Sequence, residues 1–444
     1  ALQKNAEYRF EVPFSRKVQI QVLTGTAELF GTELAPSTTY TFCGVKAAIY
    51  TWHGCTLTVS GEPESEYVAE ETEVEVIANI HFALEKLRDQ AKTSAGDDGL
   101  GPRVLVVGPE NAGKTSLVKS LAAYASRAGR APVVVNLDPR QGMLSVPGSF
   151  TAASMTSVLD VEDIAGWGSS PISGPTAIPV KMPLTYHYGS ANTESNLSIF
   201  KPLITRMALA VTSRMDEDPD VGTTGCIIDT AGSVASGKGL ESIHHVISEF
   251  SVNVVLVIGS ERLYSDLSRR YPAAASDSAD AVNVLKLSKS GGCVDRDESY
   301  MRQFRQAQIR SYFFGHAGMT LSPFTQTLDY SQLSIYKIID HTKSTSTSSF
   351  LPGDDEGNPY SPDKPYEKVE PAMMLQNRML AVTHAEPKDS LETVRDSSVI
   401  GYVYVSEVDE VKKKVRLLGP VSGRLPNKAM VVGDWPEDVA DLVG

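Results

Sequence analysis

The chain has 444 residues, 41% of them hydrophobic, and carries 54 acidic against 41 basic side chains for a formal net charge of −13. That length sets an expectation of two or three cores, and the charge excludes a protein that coats nucleic acid by bulk attraction, since phosphate contacts need clustered Lys and Arg. No run approaches the roughly 18 apolar residues of a membrane span and no charged-then-apolar leader opens the chain, so a soluble cytosolic or nuclear protein with no membrane partner is expected.

The first stretches, "EYRFEV", "KVQIQVLTG", "TYTFC", "AAIYTWHG" and "CTLTVSG", mix β-branched and aromatic residues in alternation and are punctuated by Gly or Pro, the pattern of an all-β, sandwich-like module. "NIHFALEKLRDQAK" then has helical spacing with Ile80, Leu84 and Leu87 on one face, before the polar, glycine-rich "TSAGDDGLGP" ends it. From Pro102 the texture changes to the apolar runs "RVLVVG", "APVVVNLD", "GCIIDTAG" and "VNVVLVIG". Uninterrupted runs of this kind suit parallel strands buried on both faces, which predicts an α/β domain of the doubly wound kind.

Between Phe150 and Thr224 lies a long excursion containing the helix-like "NLSIFKPLITRMALAVTSRM". Strands return after about residue 318 in "SIYKIID", "MLAVTH", "VIGYVYVSEVD", "KVRLLG" and "KAMVVGDW". The intervening residues 341–368, poor in hydrophobes and rich in Ser, Pro and Asp, are expected to be a mobile surface loop. The predicted organisation is an N-terminal β domain with linker helix over 1–98, an α/β domain over 99–317 and a small β-rich domain over 318–444, with no internal repeat. The four cysteines, Cys43, Cys55, Cys226 and Cys293, form no C-x-x-C pair and are expected to be reduced and to pack as small hydrophobes. The eight histidines show no ligand spacing; His244 and His245 are neighbours on a predicted helix and point to different faces.

"VLVVGPENAGKTSLVKSL" holds G-x-x-x-x-G-K-T from Gly108 to Thr115, after an apolar strand and before a helix. In that setting the glycines permit tight curvature, and successive N–H groups together with the helix N-terminus form an anion cradle. Lys114 reaches β- and γ-phosphates and Thr115 places its hydroxyl on Mg2+. Asp138 ends the next strand in "NLDPRQG", where it either serves Mg2+ or nucleophile activation or merely caps the turn before Pro139. Asp229, ending another strand in "IIDTAG", is the third candidate near the metal.

Two enzymatic readings divide at this point. A GTPase needs an N-K-x-D-like sequence, and the one Asn-Lys pair, Asn427-Lys428, is followed by Ala-Met in the C-terminal β region, so guanine specificity is unsupported. A kinase needs a lid that brings positive charge to the transferring phosphoryl group. "VDRDESYMRQFRQAQIRSYFFG" supplies Arg296, Arg302, Arg305 and Arg310, with Arg302 and Arg305 at i, i+3; spacing alone leaves open whether this is a lid or an ordinary solvated helix.

Together these strings resemble the eukaryotic polynucleotide 5′-hydroxyl kinase family whose members also serve as a subunit of the pre-mRNA cleavage and polyadenylation machinery. The likeness runs from "EYRFEV" and "GTAELFGTEL" through "YTWHGC", "GPRVLVVGPENAGKTS", "LDPRQG", "YHYGS", "ERLY" and "KSGG" to "SVIGYVYV", nearly the whole chain. It implies the same three-domain order, ATP with Mg2+ as the ligand, and a nuclear location. It also implies that Glu7 and Lys46 reach the adenine side from the N-terminal domain, and that Gly108 and residues Asn111, Ala112, Gly113, Lys114, Thr115 and Ser116 line the phosphates. The implied metal ligands are Thr115, Asp138 and Asp229.

Departures from the kinase-active pattern set a further expectation. Active relatives have D-V-G-Q-G where this chain has Asp138-Pro139-Arg140-Gln141-Gly142, and a tryptophan, on which an RNA base stacks, where it has Ser233. Met301 and Gln308 stand where the active lid carries further arginines, leaving Asp138, Arg302 and Arg305 as vestigial catalytic candidates. Loss of one stacked base costs about 1 to 3 kcal/mol, and loss of one transition-state arginine on the order of 10³-fold in rate. The resemblance therefore implies a protein that binds ATP without transferring phosphate, with RNA engaged only weakly or indirectly. Its implied partners are other 3′-end processing subunits, among them the scaffold subunit of cleavage factor IA that binds the polymerase II C-terminal domain. An active RNA 5′-hydroxyl kinase is the alternative.

Overall fold

A computed structural model describes residues 1–93, 99–168, 182–232, 237–272, 281–316, 319–339, 365–440 and 442. Ser233 and residues 341–364 of the expected surface loop lie outside them. The N-terminal strands are β1 (Ala6–Val12), β2 (Val18–Gly25), β3 (Glu28–Leu29), β4 (Thr32–Glu33), β5 (Thr39–Phe42), β6 (Val45–Thr51), β7 (Cys55–Ser60) and β8 (Ser65–Ala69). They form a five-stranded sheet, β4-β3-β6-β1-β8, and a three-stranded sheet, β5-β2-β7. Alternation explains the packing: along β2, Val18, Ile20 and Val22 are buried with Phe10, Phe42 and Ile49, while Gln19 and Leu23 face out. This is the sandwich that the alternating sequence predicts.

The linker helix α1 (Val74–Thr93) leads into the α/β domain, which contains β9 (Arg103–Val107), α2 (Lys114–Arg127), β10 (Val133–Leu137), β11 (Ser149–Ser154), β12 (Leu184–His187), α3 (Leu197–Glu217) and α4 (Pro219–Thr224). It continues through β13 (Cys226–Thr230), α5 (Gly237–Glu249), β14 (Val254–Ile258), α6 (Glu261–Arg270), β15 (Asn283–Leu287) and α7 (Glu298–Phe314). The sheet order is β12-β11-β10-β13-β9-β14-β15. Strands β10, β13, β9, β14 and β15 are parallel, and β11 and β12 extend the edge antiparallel.

Successive β9 residues feed two cores. Val104 and Val106 pack with Ile80 and Leu84 of α1 and Leu117 and Leu121 of α2; Leu105 and Val107 join α3, α5 and α7 on the opposite face. Burial on both faces is why these strands are apolar throughout. One detail of α1 departs from the expectation: Leu87 is 38% exposed, and Arg88, 1% exposed, takes the inward position. Arg88 donates to the Thr224 carbonyl at 3.0 Å and pairs with Glu85 at 2.6 Å, so the linker helix is tied to the α/β domain by a satisfied cation.

The last domain holds β16 (Gly315–His316), β17 (Met319–Thr320), β18 (Phe324–Asp329), β19 (Ser334–Ile338), β20 (Tyr366–Val369), β21 (Met379–Thr383), α8 (Leu391–Asp396), β22 (Val399–Asp409), β23 (Lys414–Gly419) and β24 (Ala429–Val432). Seven of its strands form one sheet, β18-β23-β22-β21-β24-β19-β20, antiparallel except at β19–β24. Along β22, Val403 and Val405 fill this domain's own core, whereas Tyr402 and Tyr404 enter the core of the α/β domain. The two domains meet at three glycines. A Cβ on Gly433 would lie 2.1 Å from the Gly189 carbonyl oxygen, and one on Gly148 would lie 2.9 Å from that of Trp435.

Candidate functional site

β9 stops at Val107 and α2 starts at Lys114, so the intervening residues must reverse direction within one helix diameter. Gly113 with φ of 89° and Asn111 with φ of 55° accomplish this. No side chain caps the first turn of α2 at Gly113, which leaves its N–H groups free to bind an anion. A Cβ on Gly113 would approach Cys293 Sγ to 2.7 Å, so glycine is demanded there by space as well as by torsion.

Lys114 is buried and donates to the Pro109 carbonyl at 2.7 Å; burial lowers its pKa, against the pull of Asp229, Asp138 and Glu110. Thr115 Oγ1 donates to Asp229 Oδ2 at 2.6 Å. Asp229 sits on β13, between the strands that deliver the phosphate loop and Asp138, and its Oδ1 is buried without a partner. Burial pushes the carboxyl up to about 6, although the Thr115 hydrogen bond and Lys114 oppose the rise. An orphaned carboxylate oxygen beside a phosphate-loop hydroxyl suits a hard divalent cation, so Thr115 and Asp229 fit Mg2+. Among the described residues no group of three or more His, Cys, Asp or Glu is gathered around a metal position; the rest of the shell falls to phosphate oxygens and water.

Asp138 is tied into its own turn. Its Oδ1 accepts from Arg140 N at 3.0 Å and its Oδ2 from Gln141 Nε2 at 3.0 Å, while Asn136 Nδ2 holds the Gln141 carbonyl at 2.7 Å. Each oxygen thus accepts one bond from the turn that Pro139 opens, with acceptor capacity left over. Arg140 reaches from this turn to pair with Glu110 of the phosphate loop, and Gly232, just past Asp229, packs on Glu110 so closely that a Cβ would meet its Cγ at 2.5 Å.

Two cavities share the walls Phe30, Ala48, Ala112, Gly113, Ser116 and Cys293. The inner one adds Glu7, Glu28, Tyr50, Ile77, Tyr124 and Leu287 and is mainly apolar; the outer adds Asn111, Lys114, Thr115, Gln141, Lys46 and Arg296 and is markedly more polar. The first suits a flat ring and the second an anion. Glu7 and Lys46 are thus both at the cleft but in different chambers, Lys46 on the anion side. Glu7 is held by Arg9 Nε at 2.7 Å and by the Thr72 hydroxyl; Lys46 pairs with Glu11 at 2.8 Å and lies 5.3 Å from the Tyr300 ring centre.

The arginines of α7 do not share one face. Arg302 and Arg310 are exposed, whereas Arg305 is 2% exposed. A 60° offset at i, i+3 is enough to put one side chain in solvent and the other in the core. Arg305 donates to both oxygens of Glu437 at 2.7 to 3.0 Å and to Glu298 at 2.6 Å. Arg296 donates to Gln141 Oε1 at 3.3 Å. Gln308 bonds Gly142 with both ends of its amide, Nε2 to the carbonyl at 3.0 Å and Oε1 from the N–H at 3.4 Å. Sequence reasoning missed Tyr50, Glu28, Tyr124 and Cys293 as cleft residues; the only available signal was the position of Cys293 directly after the "KSGG" string.

Three family models match in chain order: the N-terminal beta-sandwich domain of polyadenylation factor over 1–91, mRNA cleavage and polyadenylation factor CLP1 P-loop over 108–315, and pre-mRNA cleavage complex II protein Clp1 over 321–437. The mRNA cleavage and polyadenylation factor CLP1 of Phaeosphaeria nodorum is 57% identical over 448 residues, covering 100% of this chain and 94% of that protein. The chain belongs to the Clp1 family of mRNA cleavage and polyadenylation factors. The clp1 factor of Botryotinia fuckeliana is 52% identical, with 100% and 94% covered. Among solved Clp1 structures, that of a wild-type Clp1p–Pcf11p (454–563) complex matches with TM-score 0.85 and 30% identity over 98% of this chain and 96% of that one. A second, with TM-score 0.86 and 30% identity over 98% and 97%, concerns an extended interface between Pcf11p and Clp1p and the basis for ATP loss in a glycine-to-arginine mutant.

Proposed function

We propose that this chain is an ATP-holding, non-catalytic subunit of the nuclear pre-mRNA 3′-end cleavage and polyadenylation machinery. The observation that carries the reading is the state of the groups a kinase would need. Of the kinase candidates, Arg305 is buried against Glu437 and Glu298 and cannot reach a phosphoryl group without breaking those bonds, whereas catalysis by preorganised charge requires the opposite arrangement. Asp138 is tied into its own turn, and Arg140, standing where the kinase-active pattern has glycine, is paired with Glu110. The ligand half of the cleft is intact by comparison. Its inner chamber accommodates adenine, the α2 N-terminus with Lys114 receives the phosphates, and Thr115 and Asp229 hold Mg2+, which neutralises phosphate charge when bound.

A ligand that binds only the folded state stabilises it by mass action, so ATP gripped between two domains serves as part of the architecture. The ATP loss described for a mutant relative supports this choice of nucleotide, and the Pcf11p complexes of relatives support a second 3′-end processing polypeptide, of the kind that engages the polymerase II C-terminal domain, as partner. Denaturing the purified protein and identifying the released nucleotide by chromatography is the test: intact ATP is expected, ADP points to a hydrolytic site, and GDP ends the ATP reading. Incubation with γ-labelled ATP and 5′-hydroxyl RNA is expected to leave the RNA unlabelled. Label that appears and then vanishes in Lys114→Ala would establish an active RNA 5′-hydroxyl kinase instead.

A further inference from the structure

The chain leaving β24 crosses back over the α/β domain and touches the nucleotide cleft from behind. Trp435 Nε1 donates to the Pro139 carbonyl at 3.0 Å, the same oxygen that accepts from Gly148 N at 2.8 Å, and Trp435 N donates to the Gly189 carbonyl at 3.1 Å. Arg305 of α7 stacks over the Trp435 ring at 4.5 Å from its centre and is clasped by Glu437 two residues on. Pro139 follows Asp138, and the turn it opens supplies Gln141 to the wall of the outer chamber. Helix α7 supplies Tyr300 and Phe304 to a third cavity, which also borders Thr115, Asp229 and Gln141.

We propose that Trp435, Arg305 and Glu437 form a latch through which the C-terminal domain holds α7 and the Asp138 turn against the nucleotide cleft, making Trp435 and Glu437 positioning residues for nucleotide retention. Two parts of the cleft wall share one anchor. Gln308 of α7 bonds Gly142, and Arg296, just before α7, bonds Gln141, both from within the α/β domain; Trp435 is the tie that joins the turn and the helix to the C-terminal domain. A buried guanidinium with a bidentate carboxylate and an aromatic face is geometrically specific, so loss of either partner loosens the arginine, leaving it the exposed Glu298. The proposal rests on the reading that the cleft binds nucleotide.

The full-length chain tests it by release of preloaded α-labelled ATP into excess unlabelled ATP, followed by filter binding, with amide hydrogen exchange measured in parallel. Trp435→Phe keeps a ring over Arg305 but removes the bond to Pro139; Glu437→Gln keeps the shape but removes the charge. Each is expected to speed release by about 3- to 10-fold, as the loss of one hydrogen-bonded tie allows, and the double variant to be no faster than the quicker single one. Exchange should rise over 139–148 and 298–314 while 429–432 stays protected. Ser406→Ala removes a hydroxyl bond to the Arg416 carbonyl on the exposed face of the C-terminal domain and is expected to leave release unchanged. Equal acceleration by Ser406→Ala, or unchanged release with unchanged exchange in both latch variants, overturns the latch. Failure of the unaltered protein to bind labelled ATP overturns the nucleotide reading instead, and exchange over the two segments still decides whether Trp435 fastens them.

Discussion

The α/β domain has two neighbours, and it meets them in opposite ways. Against the N-terminal sandwich the seam touches α2 at Gly31 but opens beside it into chambers lined by Glu7, Tyr50, Lys46 and the phosphate loop. Against the C-terminal domain the chains close to glycine contact at Gly148, Gly189 and Gly433, with His187 and Tyr402 buried between them. A seam with room for a ligand draws part of its cohesion from that ligand, whereas a seam packed to backbone contact needs none. Under the proposed reading, the protein is held together by two separate kinds of adhesion, one of which depends on bound nucleotide.

The strongest way to break the contrast is Gly113→Arg. With Cys293 Sγ where a Cβ would go, nucleotide binding should weaken on the order of 10³-fold or more, about 4 kcal/mol, as measured by equilibrium binding of labelled ATP. Next comes Gly433→Ala, which drives a methyl toward the Gly189 carbonyl. It should cost about 3 kcal/mol in urea unfolding, and because the Gly189 carbonyl also holds Trp435 N, ATP release should quicken as it does in the latch variants.

A comparable effect, spread over pH, belongs to His187, whose burial lowers its pKa to about 4. The unfolded imidazole takes a proton near pH 6.5, while the folded one resists until about 4. The stability conferred by the neutral ring is therefore present above 6.5 and is lost as pH falls toward 4, by roughly 3 kcal/mol in all. Unfolding midpoints measured across that window should slope in the parent chain and flatten in His187→Phe. The smallest expected change is Tyr124→Phe, which removes the hydroxyl that donates to Glu28 across the sandwich seam. Glu28 keeps Arg127, so about 1 kcal/mol should be lost, and a much larger loss in nucleotide-saturated protein would show that this seam is not ligand-supported.

Most of the architecture was legible because its strands are long and strongly patterned. β2, β9, β10, β13, β14 and β22 declare themselves by alternation or by apolar runs. β11, with the sequence "SFTAAS", and β12, with "LTYH", do not, since short segments of small and polar residues carry little period. The two-residue strands β3 and β4 are below any sequence signal. Within the site, the phosphate loop with Thr115 was readable from one local motif, and Asp229 from the separate strand-end string "IIDTAG". Arg305 was not, because its partner Glu437 lies 132 residues away and only the packed chain can show that a cation read as a lid group is a structural clasp. Leu87 and Arg88 exchanged roles for a similar reason: the Thr224 carbonyl offers Arg88 a buried acceptor that helical spacing does not reveal.

Gly31 rests on α2 so closely that a Cβ there would lie 2.9 Å from the Ser120 carbonyl oxygen, and both residues line the inner chamber. Cavity wall and domain seam are the same atoms at this point. A lesion in the sandwich domain that merely tilts it, touching no ligand, therefore reshapes the chamber as surely as one inside it. In a genetic screen such changes would sort with phosphate-loop alleles, although they lie in a different domain and act by mechanical displacement.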